Sequence, residues 1–130
     1  MKRTEIIMGM PVTVEIVGDT GADAAIDDVF DFFRRIDARY STYKPDSEIS
    51  RINAGLPKNR WSREMKQVME LCEHTRRETG GFFDIDRDGK LDPSGLVKGW
   101  AIRRAAGRLR RRGLRDFCLE AGGDFQVGGH

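Results

Sequence analysis

The residues best suited to chemistry lie in one stretch, Leu91–Ala101, which reads LDPSGLVKGWA. An acid, a proline, two glycines and a lysine stand together there, at the opening of an expected helix. Backbone N–H groups and the positive end of the helix dipole face outward at such an opening, and a lysine one turn in adds a full charge. Asp92 would repel a bare phosphate, so a bridging metal ion or a ribose hydroxyl suits it better. The stretch therefore predicts an anion site with a metal or sugar beside it.

The acidic run Asp84–Asp92 matches much of a calcium-binding EF-hand loop, with acids at loop positions 1, 3, 5 and 9, glycine at 6 and an apolar residue at 8. Two features disagree with that motif. Gly95 stands where the bidentate glutamate is needed, and Gly80–Gly81 interrupts the preceding helix. We therefore favour a solvated Asp/Gly turn around Asp86 and Asp88 over a calcium site.

The two histidines offer no clear general base. His74 lies within an expected helix among charged residues, and His130 is the last residue. No hydrolase triad can be assembled from them. This favours chemistry in which a metal ion and positioned phosphates do most of the work.

Basic residues are concentrated near the end of the third long helix that we expect. Two interpretations stay open, of which we favour the first: a solvated helix face whose cations suit the helix dipole, or a polyanion-binding site. The net charge of only +2 does not favour nucleic acid as a partner. The residues concerned are Arg103, Arg104, Arg108, Arg110, Arg111, Arg112 and Arg115.

The composition fits one globular domain over residues 1–130. Hydrophobic residues make up 38% of the chain and charged residues 34%, and no apolar run approaches the ~20 residues of a membrane span. No secretory signal is visible after Met1, so we expect a cytoplasmic protein. Cys72 and Cys118 fall in apolar patterns outside any Cys-x-x-Cys pair, which predicts buried free thiols.

Hydrophobic periodicity predicts strands near both ends of the chain and helices between them. This order favours an α+β fold in which helices pack on one face of an antiparallel sheet. Residues 6–8 are either the first arm of the first strand or a separate strand before it. The expected elements are strands over residues 12–16, 117–119 and 125–127, long helices over 22–40, 63–79 and 97–112, and a short helical turn over 47–52.

Five segments in this order resemble the FAD:protein FMN transferase family, the ApbE family. Each segment alone is a weak signal, but together they span residues 8–124. They are Met8–Met10, Tyr40–Asn53, Thr79–Asp84, Leu91–Ala101 and Glu120–Asp124.

The resemblance implies an ApbE-like, T-fold-like domain that binds FAD and Mg2+. It also implies transfer of FMN from FAD to a threonine of a flavin-accepting target protein, with release of AMP. The implied site residues are Met8 and Tyr43 at the flavin end, Phe82, Phe83 and Asp84 lining the FAD site, Asp92 and Lys98 holding polar parts of FAD, and Gly95 offering its carbonyl to Mg2+.

Without the resemblance, plainer roles stand beside these. Tyr43 could anchor a loop, Phe82 and Phe83 could belong to a core, and Lys98 could be a solvated residue of a first helical turn. Gly122 and Gly123 are expected to shape a turn between the closing strands, and whether Asp124 reaches the site stays open.

The sequence departs from the family in two places. Only residues 85–90 separate the Phe-Asp turn from the Asp-Pro-Ser-Gly stretch, which indicates a compact subtype or a deletion. The family's acidic residue and threonine that complete the Mg2+ site have no counterpart here, so we expect the C-terminal half of the domain to be absent. Gly95 alone cannot hold Mg2+.

Three other functions remain as alternatives: an FAD hydrolase giving FMN and AMP, a non-catalytic FAD-binding module, and a polyanion-binding module. We expect no nucleic-acid partner and no membrane segment, and homo-oligomerisation is left open. An exported lipoprotein is left open as an alternative for the case that the N-terminus has been trimmed, since many members of the family that this sequence resembles are exported lipoproteins.

Overall fold

The computed structural model describes residues 1–18 and 21–129. The chain divides into two compact units. The first comprises Met1–Asp37 and Lys98–His130, and the second comprises Ala38–Val97. His130, which the sequence left without a setting, lies outside the described residues.

Four helices and six strands form the described part of the chain. The helices are α1 (Ala22–Tyr40), α2 (Glu48–Asn53), α3 (Arg63–Glu78) and α4 (Ser94–Arg111), with a 3-10 turn at Lys58–Arg60. The strands are β1 (Lys2–Ile7), β2 (Met10–Ile16), β3 (Asp86–Arg87), β4 (Lys90–Leu91), β5 (Phe117–Ala121) and β6 (Asp124–Gly128). Within residues 1–18 and 21–129, no helix has the length and apolar character needed to cross a membrane.

The first unit contains an antiparallel sheet in the order β1-β2-β5-β6. Alternate side chains of β2 and β5 are buried and meet across the ladder, because side chains in a strand point to opposite faces in turn. Helices cover this face: Arg3 of β1 lies 5.3 Å from the ring of Phe30 in α1, and Arg110 of α4 lies 5.5 Å from the ring of Phe117. The predicted α+β class is confirmed. The buried pairs are Val12 with Ala121, Val14 with Leu119, and Ile16 with Phe117.

Two-residue turns join β1 to β2 and β5 to β6. Met8 and Gly9 have φ of 59° and 70°, and Gly122 and Gly123 have φ of 55° and 93°. Two successive residues with positive φ suit a turn whose twist matches that of a hairpin. The predicted role of the glycine pair is confirmed, and β1 is a separate strand before β2 rather than its first arm.

An ion pair joins α1 to α4 inside the first unit. Arg108 donates to both carboxylate oxygens of Asp28, at 2.7 and 2.9 Å. This hydrogen bonding holds the pKa of Asp28 below its ordinary value, although partial burial opposes the shift. Arg108 therefore has a structural role, and Nε of Arg112 lies 3.9 Å from the same carboxylate.

Gly128 has no room for a side chain. A Cβ atom at this position would overlap the ring of buried Phe117 on the neighbouring strand. We expect Gly128→Ala to lower the free energy of unfolding by about 1–3 kcal/mol, since overpacking forces a shift of ring or backbone. Gly129→Ala is the control, because nothing lies within 4 Å of the added atom. Chemical denaturation of both variants tests this, and equal stability of the two would contradict it.

Serine caps begin two helices of the second unit. Ser47 accepts a hydrogen bond from the Ser50 amide at the start of α2, and Ser62 accepts one from the Met65 amide at the start of α3. Such caps satisfy amide groups that have no partner within the helix. Both helices confirm the sequence prediction.

The two cysteines differ in burial. Cys72 is buried on α3, and this burial raises the pKa of its thiol to about 11. It is therefore not a thiolate nucleophile at neutral pH. The prediction that Cys118 is buried is wrong: it is only half-buried, because it alternates with Phe117 and Leu119 and points to the opposite face of the sheet.

The acidic run forms a hairpin instead of a calcium loop. Strands β3 and β4 pair antiparallel, and Asp88 and Gly89 between them have φ of 55° and 84°. Asp86 accepts a hydrogen bond from the Gly89 amide, which closes the turn. The favoured interpretation of a solvated Asp/Gly turn is confirmed.

Candidate functional site

The turn that carries Tyr43 is held in place by a buried serine. The Ser47 hydroxyl donates to the Ser41 carbonyl at 2.6 Å while it caps α2. Tyr43, between them, is 95% exposed. It is therefore not a half-buried anchor of its own loop. A rigid turn that presents an open aromatic ring is suited to stacking on a planar ligand.

A buried carboxylate joins this segment to α3. Glu48 accepts hydrogen bonds from the Ser62 amide at 2.6 Å and the Ser62 hydroxyl at 2.7 Å, and its Oε1 lies 3.3 Å from Nε of Arg39. Arg39 also pairs with Glu64 at 2.8 Å. Because the Ser62 hydroxyl donates to Glu48 and accepts from Met65, Glu48 orients the cap of α3. Neither the type of this residue nor its spacing in the sequence indicated this role.

A second exposed aromatic residue follows α3. Phe82 is 95% exposed, so it does not belong to a core. Phe83 is half-buried, and its Cε2 lies 3.8 Å from the position that a Cβ of Gly95 would occupy. The Thr79 hydroxyl accepts a hydrogen bond from the Phe83 amide, and the exposed Asp84 accepts one from the Asp86 amide. The turn is thus fixed at both ends while Phe82 faces outward.

Helix α4 begins at Ser94, three residues before the expected start. Asp92 accepts a hydrogen bond from the Ser94 amide at 3.1 Å, and the Pro93 carbonyl accepts from the amides of Leu96 and Val97. These bonds start the helix directly after the proline, as expected for proline at a helix N-terminus. Asp92 is therefore already engaged with the backbone through one carboxylate oxygen.

The side chain of Asn53 makes two hydrogen bonds with β4, the strand that leads into α4. Its amide nitrogen donates to the Leu91 carbonyl at 2.9 Å, and its amide oxygen accepts from the Leu91 amide at 2.8 Å. The side chain thus pairs with β4 as a neighbouring strand would. Asn53 is the last residue of a segment that carries the family resemblance. This position was a signal that it matters, but residue type and spacing did not assign it a role.

A cavity of about 410 Å³ lies beside Asn53. It combines two cationic side chains with hydroxyl and amide groups and with Asp92. Such a lining offers donors for phosphate oxygens and an acceptor for a sugar hydroxyl. The lining residues are Thr42, Ser50, Asn53, Arg87, Lys90, Leu91 and Asp92.

In the first unit, Lys98 lies against the turn between β5 and β6. Its Nζ is 3.5 Å from Oδ2 of Asp124 and 3.4 Å from the Gly122 carbonyl. Both distances are at the long end for a charged contact, and Lys98 is half-buried. Asp124 thus lies beside a predicted site residue. Met8 is half-buried in the turn between β1 and β2.

The residues predicted for the site are distributed over both units. Met8 and Lys98 belong to the first unit. The second unit contains the others, which are Tyr43, Phe82, Phe83, Asp84, Asp92 and Gly95. Their roles toward FAD stay predictions.

Few ligands for Mg2+ can be identified among the described residues of the candidate site. Gly95 is the second residue of α4, and in a helix its carbonyl accepts a hydrogen bond from the amide four residues on, which leaves one lone pair for a metal. Among the residues that the structure describes, no group of three or more His, Cys, Asp or Glu could hold a metal ion. One neutral carbonyl does not make a Mg2+ site, so these residues do not fit the ion by themselves.

Solved structures with a similar fold include two described as flavin or flavinyl transferases and one described as an ApbE protein. The flavin transferase ApbE from Vibrio cholerae gives a TM-score of 0.87 at 16% identity, covering 99% of this chain and 59% of that one. The apo flavinyl transferase ApbE from Pseudomonas stutzeri gives 0.86 at 17% identity, covering 100% and 61%. The ApbE protein from Thermotoga maritima gives 0.81 at 17%, covering 98% and 58%. The chain thus spans about three fifths of their length.

Comparison with protein families extends this likeness from fold to sequence. A comparison with curated proteins gives no match. The ApbE family, in contrast, matches residues 8–88 and 85–130. The two matched stretches meet at the segment that the sequence analysis identified as short. Because they cover nearly the whole chain, this protein belongs to the ApbE family.

Proposed function

We propose that this chain binds FAD and serves Mg2+-dependent transfer of FMN from FAD to a threonine of a target protein, with release of AMP. Membership of the ApbE family over residues 8–130 carries this proposal. Two proteins whose structures match the fold, a flavin transferase and a flavinyl transferase, support it.

The two open aromatic residues supply planar surfaces for FAD. Tyr43 and Phe82 are both almost fully exposed although each stands in a fixed turn. A ring held in one place loses little freedom when a flavin or adenine stacks on it. We propose Tyr43, with Met8, for the flavin end, and the turn Phe82–Asp84 for the wall of the site.

The charged residues are proposed to hold the polar parts of FAD. Lys98 is a point charge suited to a diphosphate, and its long contact with Asp124 is weak enough to be exchanged for a phosphate oxygen. Asp92 uses one carboxylate oxygen for the Ser94 amide, which leaves the other for a ribose hydroxyl.

The proposed reaction exchanges one phosphorus–oxygen bond for another. The threonine oxygen bonds to the phosphorus of the FMN moiety, the bond from that phosphorus to the bridging oxygen breaks, and AMP leaves with the electron pair. The hydroxyl proton passes to solvent, and nothing is oxidised or reduced. Bound Mg2+ would neutralise the diphosphate, with the Gly95 carbonyl as its contact in this chain. Because the described residues do not make a Mg2+ site, we derive no step through it.

The test combines binding with product analysis. The 130-residue chain is titrated with FAD by calorimetry, then incubated with FAD, Mg2+ and a threonine-containing acceptor protein. We expect FAD to bind and to be recovered mostly intact, because the described residues lack a complete metal site. Chromatography of the nucleotides and the mass of the acceptor provide the measurements.

Each other outcome has a definite meaning. Covalent FMN on the acceptor, formed as fast as by a full-length relative, would confirm transferase activity. It would contradict the expectation that this chain lacks the ligands that Mg2+ needs. Release of FMN and AMP without an acceptor would favour an FAD hydrolase. Absence of FAD binding would overturn the proposal.

A further inference from the structure

The solvent side of α4 carries a groove that the proposed function does not use. It has a volume of about 330 Å³ and lies entirely within the first unit. Its residues recur at helical spacing, so they form one stripe along two to three turns. They are Trp100, Arg103, Arg104, Gly107 and Arg111.

Glycine and tryptophan set the positions of the three arginines. Nη1 of Arg103 lies 3.5 Å from where a Cβ of Gly99 would stand, and Nη1 of Arg111 lies 3.5 Å from the same point at Gly107. These two guanidinium groups thus lie against the helix over the glycines, at levels about 12 Å apart along its axis. The guanidinium of Arg104 lies 4.9 Å from the ring of buried Trp100, a cation–π contact that restricts its motion.

The charge of this groove is not balanced by neighbouring acids. Some arginines of the described chain pair with carboxylates, as Arg108 does with Asp28 and Arg76 with Glu73, while others do not. Across residues 1–18 and 21–129, no ion pair joins a carboxylate to the three arginines of the groove. Like charges held together repel one another, and a bound anion would remove that repulsion.

We propose that this groove binds a small, multiply charged anion of the oligophosphate type. Guanidinium groups match phosphate oxygens with paired hydrogen bonds, and three of them line this groove, so an anion with several phosphate groups can contact more than one. The one aromatic ring is buried beneath Arg104, so no open face is offered for stacking of single-stranded bases. The lining also presents no exposed large apolar side chain that could enter a lipid surface.

Tripolyphosphate is the probe for this site. Calorimetric titration compares the wild-type chain with the double variants Arg104→Gln/Arg111→Gln and Arg110→Gln/Arg115→Gln. Both variants remove two positive charges, but Arg110 and Arg115 do not line the groove. We expect the first variant to weaken binding by about tenfold or more and the second by about twofold or less, since only the first removes paired hydrogen bonds.

Thermal unfolding separates binding from folding defects. Tripolyphosphate should raise the Tm of the wild-type chain and of the second variant, because a ligand stabilises the state that binds it. The first variant should still unfold in one cooperative transition, at a Tm lowered slightly by loss of the contact between Arg104 and Trp100, and tripolyphosphate should not shift that Tm. This combination cannot arise from a variant that merely unfolds.

Several results would overturn the proposal. One is equal weakening in both double variants, which would mean attraction by overall charge alone. Another is no binding of tripolyphosphate to the wild-type chain. A third is binding of polyglutamate or an oligonucleotide through Arg104 and Arg111 when tripolyphosphate does not bind, which would assign the groove to a macromolecule instead.

Discussion

Replacing Glu48 with alanine should lower the free energy of unfolding by about 3 kcal/mol. The change removes two hydrogen bonds from Ser62 to a charged group, each of about 1.5–3 kcal/mol. We expect the lower end of that sum, because Ser62 is half-buried and water can replace part of the loss. Chemical denaturation measures the change, and hydrogen exchange at the Met65 amide should accelerate as the cap of α3 loosens.

Glu70→Ala is the matched control for this prediction. Glu70 is an exposed glutamate of α3, so its replacement should change stability by no more than about 0.5 kcal/mol. Equal effects of the two substitutions would show that the contact of Glu48 with Ser62 contributes little. Arg39 keeps its contact with Glu64 in the Glu48 variant, so the predicted loss does not come from an unpaired buried cation.

Replacing Lys98 with methionine should weaken FAD binding by about 10- to 100-fold. A hydrogen bond to a charged group contributes about 1.5–3 kcal/mol, and each 1.4 kcal/mol is a factor of ten in affinity. The fold should survive, because the contacts of Lys98 with Asp124 and Gly122 are long and partly exposed. Titration with FAD gives the affinity, and Lys66→Met, at an exposed position of α3, serves as the control for charge.

Asp124→Asn distinguishes ligand binding from a structural role of Lys98. If Lys98 contacts the diphosphate, removing the neighbouring carboxylate should leave FAD affinity unchanged or raise it, since a competitor for the ammonium group is gone. If Lys98 only fixes the turn between β5 and β6, both substitutions should lower stability alike. The second result would remove Lys98 from the FAD site.

Most of the helices and strands were predictable because their signals are local. Alternation in β2, helical spacing in α1, and the caps Ser47 and Ser62 each depend on a few adjacent residues. The start of α4 was placed too late because the helix begins with Ser94 and Gly95, which are weak helix formers. Asp92 and the Pro93 carbonyl begin that turn by accepting hydrogen bonds from backbone amides. An acid followed by proline was the signal for this start in the sequence.

The candidate site was only partly predictable. The exposure of Tyr43 and Phe82 could not be read from the sequence, since an aromatic residue is more often buried than open. Asn53 and Glu48 could not be identified as supports, because their partners Leu91 and Ser62 lie 38 and 14 residues away along the chain.

The sequence by itself determined the family, the α+β class and the helix opening at Leu91–Ala101, because motifs and periodicity are written in neighbouring residues. Only the tertiary structure decided which side chains hold the strands and helices near the candidate site in place, and which side chains stay exposed to solvent. Asn53 fixes β4, Glu48 fixes the cap of α3, and Lys98 meets Asp124. Such contacts depend on how the chain folds back on itself, so residue type and spacing alone do not specify them.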